Sequence, residues 1–156
     1  MAIGLKEGAR APNFSMESTQ GPVKLGDFKD RYLVLYFYPK DDTPGCTTEA
    51  KDFSDLAKEF EKAGATIVGV SRDTMAKHEK FAAKHELAVT LASDEDGTIC
   101  EAYGVWVEKK NYGRTYMGIE RSTFLIGPDK KVIRIWRKVR VKGHAEDVLN
   151  VIKSGV

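Results

Sequence analysis

The chain has 156 residues, 42% hydrophobic and 31% charged, which fits one globular domain over residues 1–156 with a real core. A net charge of +2 is too small to recruit nucleic acid or a membrane surface, and no apolar stretch is long enough to span a bilayer. Two cysteines do not make a disulfide framework, and Met1-Ala2-Ile3-Gly4-Leu5-Lys6-Glu7-Gly8 lacks the apolar core of a signal peptide, so a reducing cytoplasm is the expected setting.

Residues 11–24 read as a short irregular hairpin around Thr19-Gln20-Gly21-Pro22. Residues 32–38 are a continuous apolar run, which predicts a central strand buried on both faces. From Cys46 to Ala63, apolar Ala50, Phe53, Leu56, Ala57 and Phe60 recur at helical spacing, with Gly64 where a helix stop is expected. A second buried strand follows at 65–70, an amphipathic helix at 74–86 and a short strand at 87–92. Asp94-Glu95-Asp96-Gly97 opens a short helix carrying Ile99, Cys100 and Tyr103. Residues 123–126 and 132–136 flank the turn Gly127-Pro128-Asp129-Lys130 and predict a β-hairpin. A helix at 143–153 closes the chain, and no internal repeat or linker divides it. This order predicts an α/β fold, a thioredoxin-like three-layer sandwich in which a mixed central sheet carries helices on both faces.

The densest chemistry lies in Pro39-Lys40-Asp41-Asp42-Thr43-Pro44-Gly45-Cys46. A buried strand leads into this run and a helix leads out, so Cys46 falls in the first turn of that helix. Free backbone N–H groups converge there and favour negative charge. A thiol with a pKa of about 8.5 is only a few per cent ionised at neutral pH, and the thiolate is the reactive form. Thr43 can turn its hydroxyl onto the sulfur across one turn. Arg121, beside Ser122-Thr123 at a strand start, is the best placed distant cation. Pro39 and Pro44 stiffen the loop and donate no N–H.

Pro-x-x-x-Thr-x-x-Cys resembles the peroxiredoxin active-site motif. Tyr36 to Glu49 looks like its version in the bacterioferritin-comigratory-protein (BCP/PrxQ) subfamily. Gly69-Val70-Ser71-Arg72-Asp73, Ala92-Ser93-Asp94, Tyr103-Gly104-Val105-Trp106 and Gly118-Ile119-Glu120-Arg121-Ser122-Thr123-Phe124-Leu125-Ile126 extend the likeness to nearly the whole chain. The resemblance implies a thiol peroxidase for hydrogen peroxide and small organic hydroperoxides. Cys46 would be its peroxidatic thiolate, becoming a sulfenic acid. Thr43 and Arg121 would hold sulfur and peroxide, Pro39 would shape the pocket, and Glu49 would orient Arg121. The expected reductant is a thioredoxin or a glutaredoxin/glutathione-type thiol. No cofactor or metal is expected, and the expected assembly is a monomer or weak homodimer.

The subfamily's usual resolving cysteines are replaced by Lys51 and Ala82. The only other thiol is Cys100. It is either a resolving thiol or a core residue beside Ile99 and Tyr103; without it, an external thiol would reduce Cys46.

Several features have ordinary readings. Cys46 could be a buried structural thiol, Arg121 a surface ion-pair residue, and Thr43 a simple helix cap. Trp106 and Tyr112 read as packing or pocket-rim residues. His78, His85 and His144 are isolated and lack metal-ligand spacing. The alternating stretch 134–142 reads as a half-buried strand with a solvated basic face. A disulfide reductase of thioredoxin type would need a C-x-x-C pair, but the flanking positions are Thr43 and Glu49. A redox-dependent binding or chaperone-like role has no exposed apolar stripe to support it.

Overall fold

The computed structural model describes residues 5–155. Its centre is the apolar run that becomes β3, Tyr32–Phe37. Every residue of β3 after Tyr32 is buried, as expected for a strand covered on both faces. Strand β4, Ala65–Ser71, pairs with it in parallel, and β5, Thr90–Ser93, pairs in parallel with β4. On the other side β8, Ser122–Ile126, runs antiparallel to β3, and β9, Val132–Trp136, antiparallel to β8. With β1, Ser15–Ser18, and β2, Val23–Lys24, the order is β2-β1-β5-β4-β3-β8-β9. The sheet is mixed, and the early hairpin and the late hairpin both form as the sequence predicts.

Alternation along the strands divides the core in two. Leu33, Leu35 and Phe37 face one side with Val68, Val70, Phe124 and Cys100. Val34, Tyr36 and Tyr38 face the other with Cys46, Phe53, Phe60 and Leu125. The second face carries α1, Pro44–Asp55, α2, Ala57–Lys62, α3, Met75–His85, and α5, His144–Lys153, through buried Phe53, Phe60, Phe81 and Val148. The first face is covered by α4, Thr98–Ala102, a 3-10 turn at Leu25–Asp27 and the amino-terminal segment. The result is the thioredoxin-like three-layer arrangement, with layers of unequal weight. No helix among the described residues is long and apolar enough to cross a membrane.

Three local expectations are corrected, and one element is added. The helix predicted from Cys46 to Ala63 starts at Pro44 and breaks at Leu56, where ψ is near zero. The strand predicted at 87–92 lies at Thr90–Ser93. The basic stretch 134–142 is strand only as far as Trp136. A further hairpin, β6, Trp106–Asn111, and β7, Arg114–Ile119, was not anticipated. It turns at Tyr112 and Gly113, both with positive φ, and Tyr112 is 96% exposed rather than packed.

Candidate active site

Three elements converge at the carboxyl end of β3. The strand ends at Phe37, a loop follows, and α1 begins at Pro44. Proline suits a first helical position, where its missing N–H has no helical partner to lose. Cys46 is the third residue of α1, so the helix's unsatisfied N–H groups gather around it. Antiparallel pairing sets Phe37 opposite Ser122, which brings Arg121 beside the end of β3. Tyr36 stacks on Phe53 of α1 at 4.7 Å between ring centroids and fixes that helix against the sheet. The stacking needs Gly69 opposite Tyr36, because a Cβ there would lie 2.6 Å from the ring.

Cys46 Sγ is 2% exposed by residue and accepts a hydrogen bond from Arg121 Nη2 at 3.4 Å. Arg121 Nη1 donates to Glu49 Oε1 at 2.7 Å. Glu49 stands three residues after Cys46, on the same helix face. Gly45 makes room for the guanidinium, since a Cβ there would lie 3.2 Å from Nη2. Burial pushes the Glu49 carboxyl up to about 7, and Arg121 offsets only part of that push. Its second oxygen, Oε2, and the Tyr36 hydroxyl are both buried with no hydrogen-bond partner among the described residues. Burial acts to lower Arg121, but Glu49 and Cys46 outweigh it and hold the guanidinium protonated. The sulfur therefore meets a helix amino terminus and a firmly cationic fork.

The other predicted residues are placed differently. Thr43 occupies the N-cap position, but its side chain makes no cap bond. Its hydroxyl donates to Lys40 O at 2.9 Å and so closes the loop instead of meeting the sulfur. Pro39 lines a cleft of about 510 Å³ with Lys40, Trp106, Lys109, Gly118 and Ile119. Cys100 sits in α4 in the core on the opposite face of the sheet from Cys46. Burial, then Asp94, pushes its thiol far up.

A buried network beside the loop escaped sequence reading. His78 Nδ1 lies 2.6 Å from Asp41 Oδ2, and Tyr38 donates its hydroxyl to Asp41 Oδ1. His78 Nε2 lies 2.9 Å from Ala92 O, which can only accept, so Nε2 carries a proton. The Asp41 N–H donates to Asp73 Oδ2 at 2.8 Å. Asp41, Asp73 and His78 are metal-ligand types close together, yet these bonds already engage Asp41 and His78 with protein partners. Next in the chain, Asp42 adopts a positive φ of 59° and pairs with Lys84 and His85 of α3. Two successive aspartates thus tie the loop to α3. The ligand types were visible in sequence, but Asp73 and His78 stand 32 and 37 residues from the Asp41 they meet.

The chain resembles known proteins along nearly its whole length. Residues 8–135 match the AhpC/TSA family. The chain is 50% identical to the peroxiredoxin Bcp of Bacillus subtilis over 148 residues, covering 94% of each. It is 43% identical to that of Escherichia coli K12 over 151 residues, covering 96% of this chain and 97% of the relative. Among solved structures, a serine-for-cysteine variant of Xylella fastidiosa PrxQ superposes with a TM-score of 0.91 at 42% identity, covering 96% of each chain. A bacterioferritin comigratory protein of Xanthomonas campestris, studied for its alkyl peroxide reduction activity, gives 0.87 at 45% identity, covering 99% of this chain and 98% of that one. The chain belongs to the AhpC/TSA family, among its Bcp/PrxQ peroxiredoxins.

Proposed function

We propose that Cys46 is the peroxide-reacting thiolate of this thiol-dependent peroxidase, and that an external thiol completes the cycle. One observation carries the reading: a single guanidinium bridges Glu49 and Cys46 Sγ at the amino terminus of α1. The sulfur attacks one peroxide oxygen in line with the O–O bond. The S–O bond forms as O–O breaks, the departing oxygen takes the electron pair, and sulfur is oxidised to the sulfenic acid. Arg121 stabilises the charge as it moves from sulfur to oxygen. Glu49 positions Arg121, Thr43 closes the loop through Lys40, and Pro39 forms one wall of the cleft. The substrates are hydrogen peroxide and small alkyl hydroperoxides, in line with the activity named for the Xanthomonas campestris relative.

The sheet separates Cys46 from Cys100, and this supports direct reduction of the sulfenic acid by a thioredoxin or a glutaredoxin/glutathione-type thiol. A cytoplasmic monomer or weak homodimer fits that role. The test is peroxide consumption with a thiol donor in excess. Cys46→Ser should lose turnover. Retained turnover in that variant would remove the reading.

A further inference from the structure

Helix α3 carries Lys77, Lys80 and Lys84 on one side, at the spacing of a single helix face. With Lys40 of the active-site loop they line a groove of about 400 Å³. All four lysines are exposed. The carboxylates of the groove do not cancel them. Asp41 is buried and accepts from Tyr38 on one oxygen while the other meets His78. Asp73 is buried and accepts from the Ser71 hydroxyl and the Asp41 N–H. Asp42 alone of the three is exposed, and it pairs with Lys84 at 2.8 Å and His85 at 3.0 Å. Among the described residues Lys40, Lys77 and Lys80 make no ion pair. A chain of net charge +2 therefore gathers three unpaired cations at one loop.

Direct bonds join this patch to the start of α1. The Thr43 hydroxyl donates to Lys40 O at 2.9 Å, and Cys46 stands three residues beyond Thr43. One helical turn rises 5.4 Å, so the Lys40 carbonyl lies within about 11 Å of the Cys46 backbone. His78, next to Lys77, lies 2.6 Å from Asp41 and fixes α3 to the same loop. Cys46 does not line the groove, so a small molecule confined there stops short of the sulfur. A folded partner does not, because a standard interface covers about 800 Å² on each side, about 30 Å across. We propose that Lys40, Lys77 and Lys80 form the docking surface for an acidic protein dithiol that reduces the Cys46 sulfenic acid. This rests on Cys46 being the reacting thiolate. One partner sulfur attacks Cys46–S–OH, an S–S bond forms as S–O breaks, and the hydroxyl leaves as water with the proton of the attacking thiol. The second partner thiol attacks the mixed disulfide at the partner's own sulfur. Cys46 departs as the thiolate, and the partner leaves oxidised to its internal disulfide. Opposite charge on the two surfaces speeds their encounter and fixes its register.

The test compares reductants at fixed hydrogen peroxide: a thioredoxin of net negative charge, glutathione as a small acidic thiol, and dithiothreitol as a small neutral dithiol. The rate constant with thioredoxin is divided by that with dithiothreitol, which removes any change in folding or peroxide chemistry. In Lys77→Glu/Lys80→Glu this ratio should fall roughly tenfold or more at low salt, and rising salt should shrink the gap from the parent. Lys58→Glu/Lys62→Glu makes the same change in net charge on α2, which leads into the amino end of β4, away from the active-site loop. Its ratio should stay within about twofold of the parent, since its charges lie outside the docking surface. An equal fall in both double variants would make the effect one of net charge and overturn the proposal, as would no fall in either. An equal fall with glutathione would assign the groove to a small acidic thiol and overturn it too. Parent turnover with dithiothreitol but not with thioredoxin would refute the docking surface alone. Absence of a Cys46 sulfenic acid in the parent would instead refute the role of Cys46.

Discussion

Cys46 and Cys100 are both buried, but in separate cores on opposite faces of one sheet. The central sheet stands between them, and the Cys100 thiol is pushed up by burial and by Asp94. Neither location nor ionisation suits attack on a Cys46 sulfenic acid. Cys100→Ser is therefore expected to retain peroxide turnover within about twofold, with no disulfide in either protein, since a buried cysteine behaves as a small hydrophobe. Turnover with a thiol donor, read beside non-reducing mobility, checks this.

Arg121 and Glu49 should separate by magnitude. Arg121→Gln removes the cation that meets the sulfur, and kcat/KM for hydrogen peroxide should fall by about a hundredfold to a thousandfold. Arg121→Lys keeps charge but loses the two-pronged geometry, so it should fall between parent and Arg121→Gln. Glu49→Gln leaves Arg121 in place but less well oriented, and a loss of roughly tenfold is expected. An unchanged kcat/KM in Arg121→Gln would remove the guanidinium from the reaction.

Two buried groups give opposing pH slopes to stability. The folded Glu49 carboxyl titrates near about 7 because of its burial, against an ordinary value of 4.5. As pH rises between these values the unfolded chain loses a proton that the folded chain keeps, so stability falls. Burial lowers His144 from 6.5 to about 4, with the Thr123 hydroxyl 2.8 Å from its Nε2. As pH falls between those values the unfolded chain gains a proton that the folded chain refuses, so stability falls in that direction. Glu49→Gln should therefore steepen the rise in stability from about pH 4 to 6.5, by up to about 1.4 kcal/mol per unit. Urea unfolding at a series of pH values reads it; parallel profiles for parent and variant would contradict it.

The His78–Asp41 pair should matter for folding. Both side chains are almost fully buried and hydrogen-bonded. Removing one partner strands the other, so His78→Leu and Asp41→Leu should each cost about 3–5 kcal/mol in denaturant unfolding. The double variant should recover much of that loss. Strictly additive losses would show that the two residues act separately.

Legibility in the sequence followed burial. Residues 32–38, 65–70 and 123–126 were readable because each is a solid apolar run, and all three became neighbouring strands of the sheet. The hairpin formed by β6 and β7 was not, because both its faces are largely exposed and no alternation marks it. Its signal was the turn between Asn111 and Arg114, where Gly113 supplies one of two positive φ values. The break at Leu56 was hidden because apolar spacing continues through it. Cys46, Glu49 and Arg121 were named from sequence and meet in space. The Thr43 hydroxyl was expected on the sulfur but donates to Lys40 O, and spacing along a helix does not reveal that.

The most direct test is intact mass and free-thiol count after one equivalent of hydrogen peroxide, with a sulfenic-acid trap present. The account predicts one trap adduct, on Cys46, with Cys100 still a free thiol. Loss of both thiols without an adduct, or no reaction at Cys46, would contradict it.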